Sequence, residues 1–431
     1  MEPFSAGLVG FLILLLLLAF GLPIGAAMLL VGLLGGMLAF GLAFLVSSAA
    51  VVWGTLSDGG LLAIPLFILM GELILRGGLA DRMYAVFAKW FDGVPGGLLY
   101  SNIGSCALFA ATSGSSVATA ATVGTVALPN MAARNYPLPA ALGSLAAGGT
   151  LGILIPPSIN MIIYGSITET SVGKLFLAGV IPGILLTAFF MVWIFISHLG
   201  RRGSESAVGY SRSEKLRATR DLFEPALIFF ALIGSLYSGL ATASEAAAIA
   251  VALTLAVIAR GGRLTVQVLT DSFISAARTS GMVLFIVLSA FVLNLALSLT
   301  GIGEAVTQWI LSFGLSPTEL LIALLIFYIV LGMFMDTLSM MVATIPLVFP
   351  AIVAAQIDPI WFGIFIVLMC ELSLITPPVG MNLFVVQGVR SDGGSIGDVI
   401  RGVIPYAVIM VLFVLLLIAL PGIATWLPER A

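Results

Sequence analysis

Gly148-Gly149-Thr150-Leu151-Gly152-Ile153-Leu154-Ile155-Pro156-Pro157-Ser158-Ile159-Asn160 is an apolar stretch carrying two adjacent prolines. A proline removes a helix donor and clashes with the turn before it, so two in succession break a helix. Residues 139–170 therefore read as two half-helices around an unwound centre. The surrounding composition says which solvent the break lies in. Of 431 residues, 61% are hydrophobic and 9% charged, and the mean hydropathy is +1.21. A soluble domain carries about 25% charged residues. The chain reads as an all-α, polytopic membrane protein in a lipid bilayer, with room for about ten crossings at ~20 apolar residues each. The run from Leu8 to Ala19 resembles a signal-peptide core, but it stays apolar to Leu45 and lacks a basic start. It reads as retained membrane helix.

The same break recurs in the second half. Ile155-Pro156-Pro157 returns as Thr376-Pro377-Pro378, and Pro129 as Pro350, both at a shift of 221. Gly179-Val180-Ile181-Pro182 returns as Gly402-Val403-Ile404-Pro405, and Gly78-Leu79-Ala80-Asp81 parallels Gly301-Ile302-Gly303-Glu304, both at 223. Four ordered matches near one offset mark an internal repeat. The second break spans 358–389 and runs through Ser373, Thr376, Pro377, Pro378, Gly380 and Asn382.

Charge orients the two units. The loop from Gly200 to Asp221 holds Arg201, Arg202, Arg212, Lys215, Arg217 and Arg220, and the positive-inside rule makes it cytoplasmic. Helices at about 222–240 and 243–259 return Arg260, Arg263 and Arg278 to the same side. Thr265 to Thr279 reads as an amphipathic surface helix. The same bookkeeping puts Arg76, Arg82, Lys89, Arg134, Arg390 and Arg401 inside, leaving Lys174 and Arg430 of the 17 basic residues outside. It works only if 94–130 and 317–356 enter and leave on one side, as re-entrant hairpins. The first then opens to the cytoplasm and the second to the outside. The repeats are inverted, an arrangement that places a transporter's site at the midplane between them. Four regions follow: membrane helices over 1–57, the first repeat over 58–199, the loop with scaffold helices and amphipathic arm over 200–279, and the second repeat over 280–427.

The first hairpin tip reads Ala111-Thr112-Ser113-Gly114-Ser115-Ser116-Val117-Ala118-Thr119, six of nine residues being Ser, Thr or Gly. The second, at a shift of 221, reads Gly332-Met333-Phe334-Met335-Asp336-Thr337-Leu338-Ser339-Met340, with Ser115 opposite Asp336. Non-helical backbone at membrane depth is tolerated only where it is buried in protein or lines a cavity. Its carbonyls and hydroxyls are hard ligands suited to a small cation such as Na⁺. Half-helix N-termini at the breaks suit an anionic substrate. The blander alternatives are small residues that let helices pack and prolines that only kink. Asp336 is the sharpest residue, since a charge within the hydrocarbon is a functional hypothesis by default. A structural bond to its own tip is the alternative. Glu72 has Arg76 one turn on and reads as a structural pair. Glu371, just before the second break, is a weaker candidate, and Glu245 reads as a helix-start dipole partner.

At these residues the chain resembles the large membrane subunit of the tripartite ATP-independent periplasmic (TRAP) transporters. Ser113-Gly114-Ser115-Ser116-Val117-Ala118-Thr119, Leu154-Ile155-Pro156-Pro157-Ser158 and Leu175-Phe176-Leu177-Ala178-Gly179-Val180-Ile181-Pro182-Gly183 carry the resemblance in the first half. Gly332-Met333-Phe334-Met335-Asp336 and Ile375-Thr376-Pro377-Pro378-Val379-Gly380 carry it in the second. The resemblance implies a Na⁺-driven, elevator-type importer of a small organic acid in the bacterial inner membrane. Its implied partners are a periplasmic substrate-binding protein and a small four-helix membrane subunit that contacts residues 1–57. It implies no catalytic residue and no cofactor beyond Na⁺ as coupling ion. Ser115, Ser158, Asn160 and Asp336 would line the substrate site. Two Na⁺ ions would be held by Ser113, Gly114, Ser116, Thr119, Thr150 and Gly152 in one half and Thr337, Ser339, Thr376, Gly380 and Asn382 in the other. The family commonly places an arginine at the substrate carboxylate; none is placed inside the membrane here, which leaves backbone or Ser/Asn donors.

Other classes find little support. A stand-alone ion-coupled dicarboxylate or citrate carrier is the nearest competitor and would need no binding protein. None of the three lysines, Lys89, Lys174 and Lys215, lies in a phosphate-binding G-x-x-x-x-G-K-[ST] loop. An intramembrane aspartyl protease needs paired carboxylates, and Asp336 faces Ser115. His198, the single histidine, sits at the polar end of an apolar segment. One His and two cysteines, Cys106 and Cys370, argue against a zinc or haem site, and the thiols read as buried. A net charge of −3 offers nothing to nucleic acid.

Overall fold

The computed structural model describes residues 3–199 and 208–430, so Arg201 and Arg202 of the basic loop lie outside the described residues. The described residues contain helices and no strands. Three apolar helices come first, α1 (Pro3–Ala19), α2 (Ile24–Phe40) and α3 (Ala43–Leu56). Pro23 caps α2, and Gly41, in the left-handed region at φ 64°, ends it. α4 (Ala63–Arg76) and α5 (Leu79–Trp90) lead to the helix pair α6 (Gly97–Ser113) and α7 (Ser116–Ala133). The broken element follows as α8 (Leu138–Thr150) and α9 (Ile159–Thr168), then the long α10 (Val172–His198).

After the loop come α11 (Arg212–Thr219), α12 (Phe223–Tyr237), α13 (Ala243–Arg260) and α14 (Val266–Leu299). The pattern then starts again: α15 (Ile302–Leu311), the pair α16 (Pro317–Gly332) and α17 (Thr337–Ala354), the broken α18 (Pro359–Ile375) and α19 (Met381–Val389), and α20 (Ile396–Ala419), closed by α21 (Gly422–Thr425). Among the described residues, six helical stretches are long and apolar enough to cross a membrane by length and composition, and the other apolar helices have 10–17 residues. One of the six is α17, an arm of the second helix pair.

Both helix pairs turn tightly through local capping. Gly114, at φ 61°, ends α6, and the extended Ser115 starts α7 by accepting the Ala118 N–H at 3.4 Å. Asp336 does the same for α17, accepting the N–H groups of Leu338 and Ser339 at 3.1 Å each. Ser115 and Asp336 thus hold the same structural position as N-caps. The two breaks also match, each with a cis Pro-Pro peptide, Pro156-Pro157 and Pro377-Pro378.

The halves interlock through their breaks. α9 packs against α17 and α18 of the second half, and α19 packs against α7 and α8 of the first. Asn382 Nδ2 donates to the Ala146 carbonyl of α8 at 3.1 Å, and Tyr164 of α9 donates to the Pro359 carbonyl at 2.6 Å. α20 crosses α8 with backbones nearly touching: a Cβ on Gly143 would meet the Gly402 carbonyl, and one on Gly402 the Pro139 carbonyl. Helices in lipid gain little hydrophobic drive from meeting one another, so close approach at small residues supplies the packing. α18 sits at the centre, buried without interruption from Trp361 to Ile375.

α2, α4 and α3 lie along α14, with α13 on α4 and α12 on α13. The expected separate surface helix over 265–279 is corrected here. Those residues form the first part of α14, a single helix of 34 residues. No proline interrupts it, and its hydrogen-bond ladder runs on past the change from mixed to apolar composition. The region boundary drawn at 279 thus falls inside a helix. Glu245, expected as a helix-start dipole partner, stands in the first turn of α13 and also closes a capping box, its carboxylate accepting the Thr242 N–H at 2.8 Å. Cys106 and Cys370 are free and buried.

Candidate functional site between the two helix-pair tips

Ser115 and Asp336, 221 residues apart in sequence, line one cavity of about 410 Å³. The first tip contributes Ser113 to Ala118, and the second contributes Asp336, Thr337 and Leu338. Ile159 and Asn160 enter from the first break, and Leu374 and Met381 from the second. Of the expected substrate residues, Ser115, Asn160 and Asp336 share this cavity. Ser158 is fully buried outside it as the N-cap of α9, accepting the Met161 N–H at 3.4 Å.

Most of the expected cation residues lie at the tip or break of their own half, whereas the Asn382 side chain reaches across to Ala146 and Gly149 of α8. Ser116 donates to the Thr150 carbonyl at 3.0 Å, tying the first tip to the first break. Thr119 donates to the Ser115 carbonyl at 2.7 Å and shares a 3.1 Å contact with the Ser113 hydroxyl. A Cβ on Gly152 would come within 2.7 Å of the Ser116 nitrogen, so only glycine lets break and tip approach this closely. A Cβ on Gly114 would stand 2.9 Å from the Pro157 carbonyl. In the second half the Val379 N–H donates to the Met333 carbonyl at 3.3 Å, the corresponding tie. Thr376 donates to the Leu372 carbonyl at 2.6 Å and accepts the Gly380 N–H through its own carbonyl at 3.2 Å. The Ser339 hydroxyl donates to Asp336. Thr337 lines the cavity, and its carbonyl accepts the Cys370 thiol at 3.5 Å. Asn382 Oδ1 is buried with no partner.

Asp336 therefore does both things that its sequence position allowed. It caps its own helix and presents a half-buried carboxylate to the cavity. Glu72 was read as a structural pair only. The pair exists, with Arg76 Nε 3.0 Å from the carboxylate. Yet Glu72 also lines the cavity, beside Ile68, Gly71 and Leu75 of α4. A Cβ on Gly71 would be 3.1 Å from the Ser113 backbone, which is how closely α4 approaches the first tip. The adjacent Gly71-Glu72 in an apolar run was the signal available. Thr279, Met282 and Val283 of α14 also line the cavity, and no motif in the sequence singles them out. The lining holds two carboxylates and neither Lys nor Arg. Glu371 lies outside it, fully buried.

The wall of the cavity is mostly apolar, and hydroxyls, an amide and two carboxylates supply the few polar points that would orient a small solute. The protein families agree with that reading. The model of the "Tripartite ATP-independent periplasmic transporter, DctM component" family matches residues 11–423. The C4-dicarboxylate TRAP transporter large permease protein of Pseudomonas aeruginosa is 37% identical over 374 residues, which is 86% of each chain. The sialic acid TRAP transporter large permease protein of Vibrio cholerae is 31% identical over 423 residues, or 96% of each. Among solved structures, the Alcanivorax borkumensis YdaH transporter matches with a TM-score of 0.67 at 15% identity, covering 98% of this chain and 99% of that one. That last likeness concerns the fold alone.

Proposed function

Since the chain belongs to the tripartite ATP-independent periplasmic transporters, as their DctM component, we propose that it imports a small organic acid by Na⁺-coupled, binding-protein-dependent secondary transport. The observation that carries this is the meeting of two equivalent tips at one cavity, with Ser115 and Asp336 as matching N-caps. The start of α7, whose N-cap Ser115 is uncharged, favours an anion, and the neighbouring hydroxyls and carbonyls favour a small hard cation.

Residues of this chain divide the work. Ser115 and Asn160 donate to substrate oxygens. Asp336 holds the second tip closed through Leu338 and Ser339 and accepts a substrate hydroxyl or faces the coupling ion. Na⁺ is assigned to oxygens at the tips and breaks: Ser113, Gly114, Ser116, Thr119, Thr150 and Gly152 for one ion, and Thr337, Ser339, Thr376, Gly380 and Asn382 for the other. The unpartnered Asn382 Oδ1 supports the fit, because a buried acceptor without a donor is satisfied by a cation. With Arg76 engaged by Glu72, the substrate carboxylate is taken by backbone and hydroxyl donors, with Na⁺ offsetting the charge of Asp336.

The two halves are read as inverted in the membrane, so that helix pairs and breaks carry substrate between the faces as one body against the frame of α2, α4, α13 and α14. The substrate class follows from relatives named for C4-dicarboxylate and sialic acid, both carboxylates. A periplasmic binding protein and a small membrane subunit complete the system. Uptake into proteoliposomes tests this. Radiolabelled succinate and sialic acid should accumulate only with an inward Na⁺ gradient and both partners present. Equal uptake by this chain alone would favour the stand-alone carrier.

A further inference from the structure

Glu371 is a buried ionisable group that transport as proposed leaves unused. Its residue is 0% exposed, and neither carboxyl oxygen has a hydrogen-bond partner. The polar group facing it is the Leu154 backbone amide of the first break, and that N–H is also turned to the Leu151 carbonyl at 3.3 Å. The carboxyl thus stands where the second half's broken helix meets the first half's unwound segment. Leu374, one turn on, and Ile153, beside Leu154, both line the cavity, so Glu371 sits directly behind its wall.

The helices around α18 offer it no counter-charge among the described residues. Tyr328 of α16 is bonded to Thr344 at 2.8 Å, and Tyr164 of α9 to the Pro359 carbonyl. Tyr406 of α20 packs edge-on against Phe190. Asp336 is held by its own tip, and Cys370, next in the chain, is directed to Thr337. Lys174 and His198 of α10, Glu319 of α16, Asp398 and Arg401 of α20 and Asp358 at the start of α18 lie toward helix ends. α8, α19 and α21 contain no ionisable side chain. A carboxylate ion in such surroundings would lose its hydration without compensation. A neutral acid loses far less, leaving one hydroxyl unsatisfied.

We propose that Glu371 is a proton-binding site of the transport cycle, neutral while the joint between α18 and the first break is closed and ionised when that joint opens to water. On opening, the carboxyl O–H bond breaks, its electron pair stays on the oxygen, and the proton passes to a water molecule entering beside Leu374 and Ile153. This rests on the transport reading above.

Infrared spectroscopy of the full-length protein in lipid vesicles tests the site directly. The wild type should show a protonated-carboxyl band at neutral pH, and Glu371→Gln, which keeps the neutral shape, should lose it. In D₂O the band should shift slowly, at the rate at which the joint opens. No band in the wild type, the same band in the variant, or a band that never shifts in D₂O would each overturn the proposal. If Glu371→Gln does not fold, Glu371→Asp serves, and the band should move rather than vanish; an unmoved band counts against the assignment. Failure of the wild type to take up any solute with its partners would sink the transport reading instead, leaving the infrared result standing.

Discussion

Asp336 gives the clearest test at the scale of single residues. It caps α17 and lines the cavity, and different substitutions separate the cap from the binding role proposed for it. Asp336→Asn keeps a side-chain acceptor for Leu338 and Ser339 and should spare the fold while removing the charge. Asp336→Ala loses both. Uptake should vanish in both variants, and the melting temperature should fall further in Asp336→Ala; wild-type uptake in Asp336→Asn would remove the charge from the mechanism. Ser115→Ala should weaken binding by about 1 kcal/mol, the worth of one hydrogen bond, read as a roughly fivefold rise in half-saturating substrate. The Ser/Gly-rich tip, the lone Asp336 and the doubled prolines were all legible, because composition and spacing carry them. Glu72 in the cavity was not. A residue's partner four positions away can be read from a string, but the wall it faces depends on how closely α4 meets the first tip at Gly71.

Among the helices, the crossing of α8 and α20 and the clasp at the foot of the first helix pair hold the helix pairs and breaks together. Gly402→Ala puts a methyl into the Pro139 carbonyl, and backbone cannot move aside as a flexible side chain does. Overpacking of this kind costs ~1–3 kcal/mol, so the melting temperature in detergent should drop. An unchanged value would show that the helices part without penalty. Asp92, between α5 and α6, accepts the Val208 and Gly209 N–H groups at 3.2 and 2.8 Å and pairs with Arg134 at 2.9 Å. Burial raises its carboxyl, but these amides, that of Tyr210 and Arg134 outweigh it and hold the group below the ordinary carboxylate range. The folded form thus prefers the ion, and its stabilisation is present above the unfolded value and lost as pH falls through the folded one. Asp92→Asn should lower the melting temperature near neutral pH, and the gap from wild type should close in acid. A pH-independent gap would contradict this. The two breaks were legible from their doubled prolines, because two in succession cannot continue a helix. The continuity of α14 was not, because its composition changes midway with no proline to mark either a break or its absence.

Across the whole molecule, each half completes the other: α9 lies in the second half's packing and α19 in the first's. Neither unit keeps its break covered alone. If the halves are inverted in the membrane, cysteines introduced at Ser116 and Thr337 should be labelled from opposite faces as conditions shift the conformation. Labelling of both from one side under every condition would refute the inversion. α14 sets a further constraint. At ~1.5 Å per residue its 34 residues extend about 51 Å, against a hydrocarbon layer of about 30 Å. The excess lies beyond the hydrocarbon, and leaning along the headgroups would give the exposed Val266, Phe273 and Ile274 apolar contact. The cavity residues Thr279, Met282 and Val283 lie just beyond that excess on the same rigid rod. Bilayer thickness should therefore act on the transporter like a lever. In vesicles of graded acyl-chain length, uptake should peak at one thickness and fall on either side, whereas a flat profile would mean that the rod does not bear on the cavity.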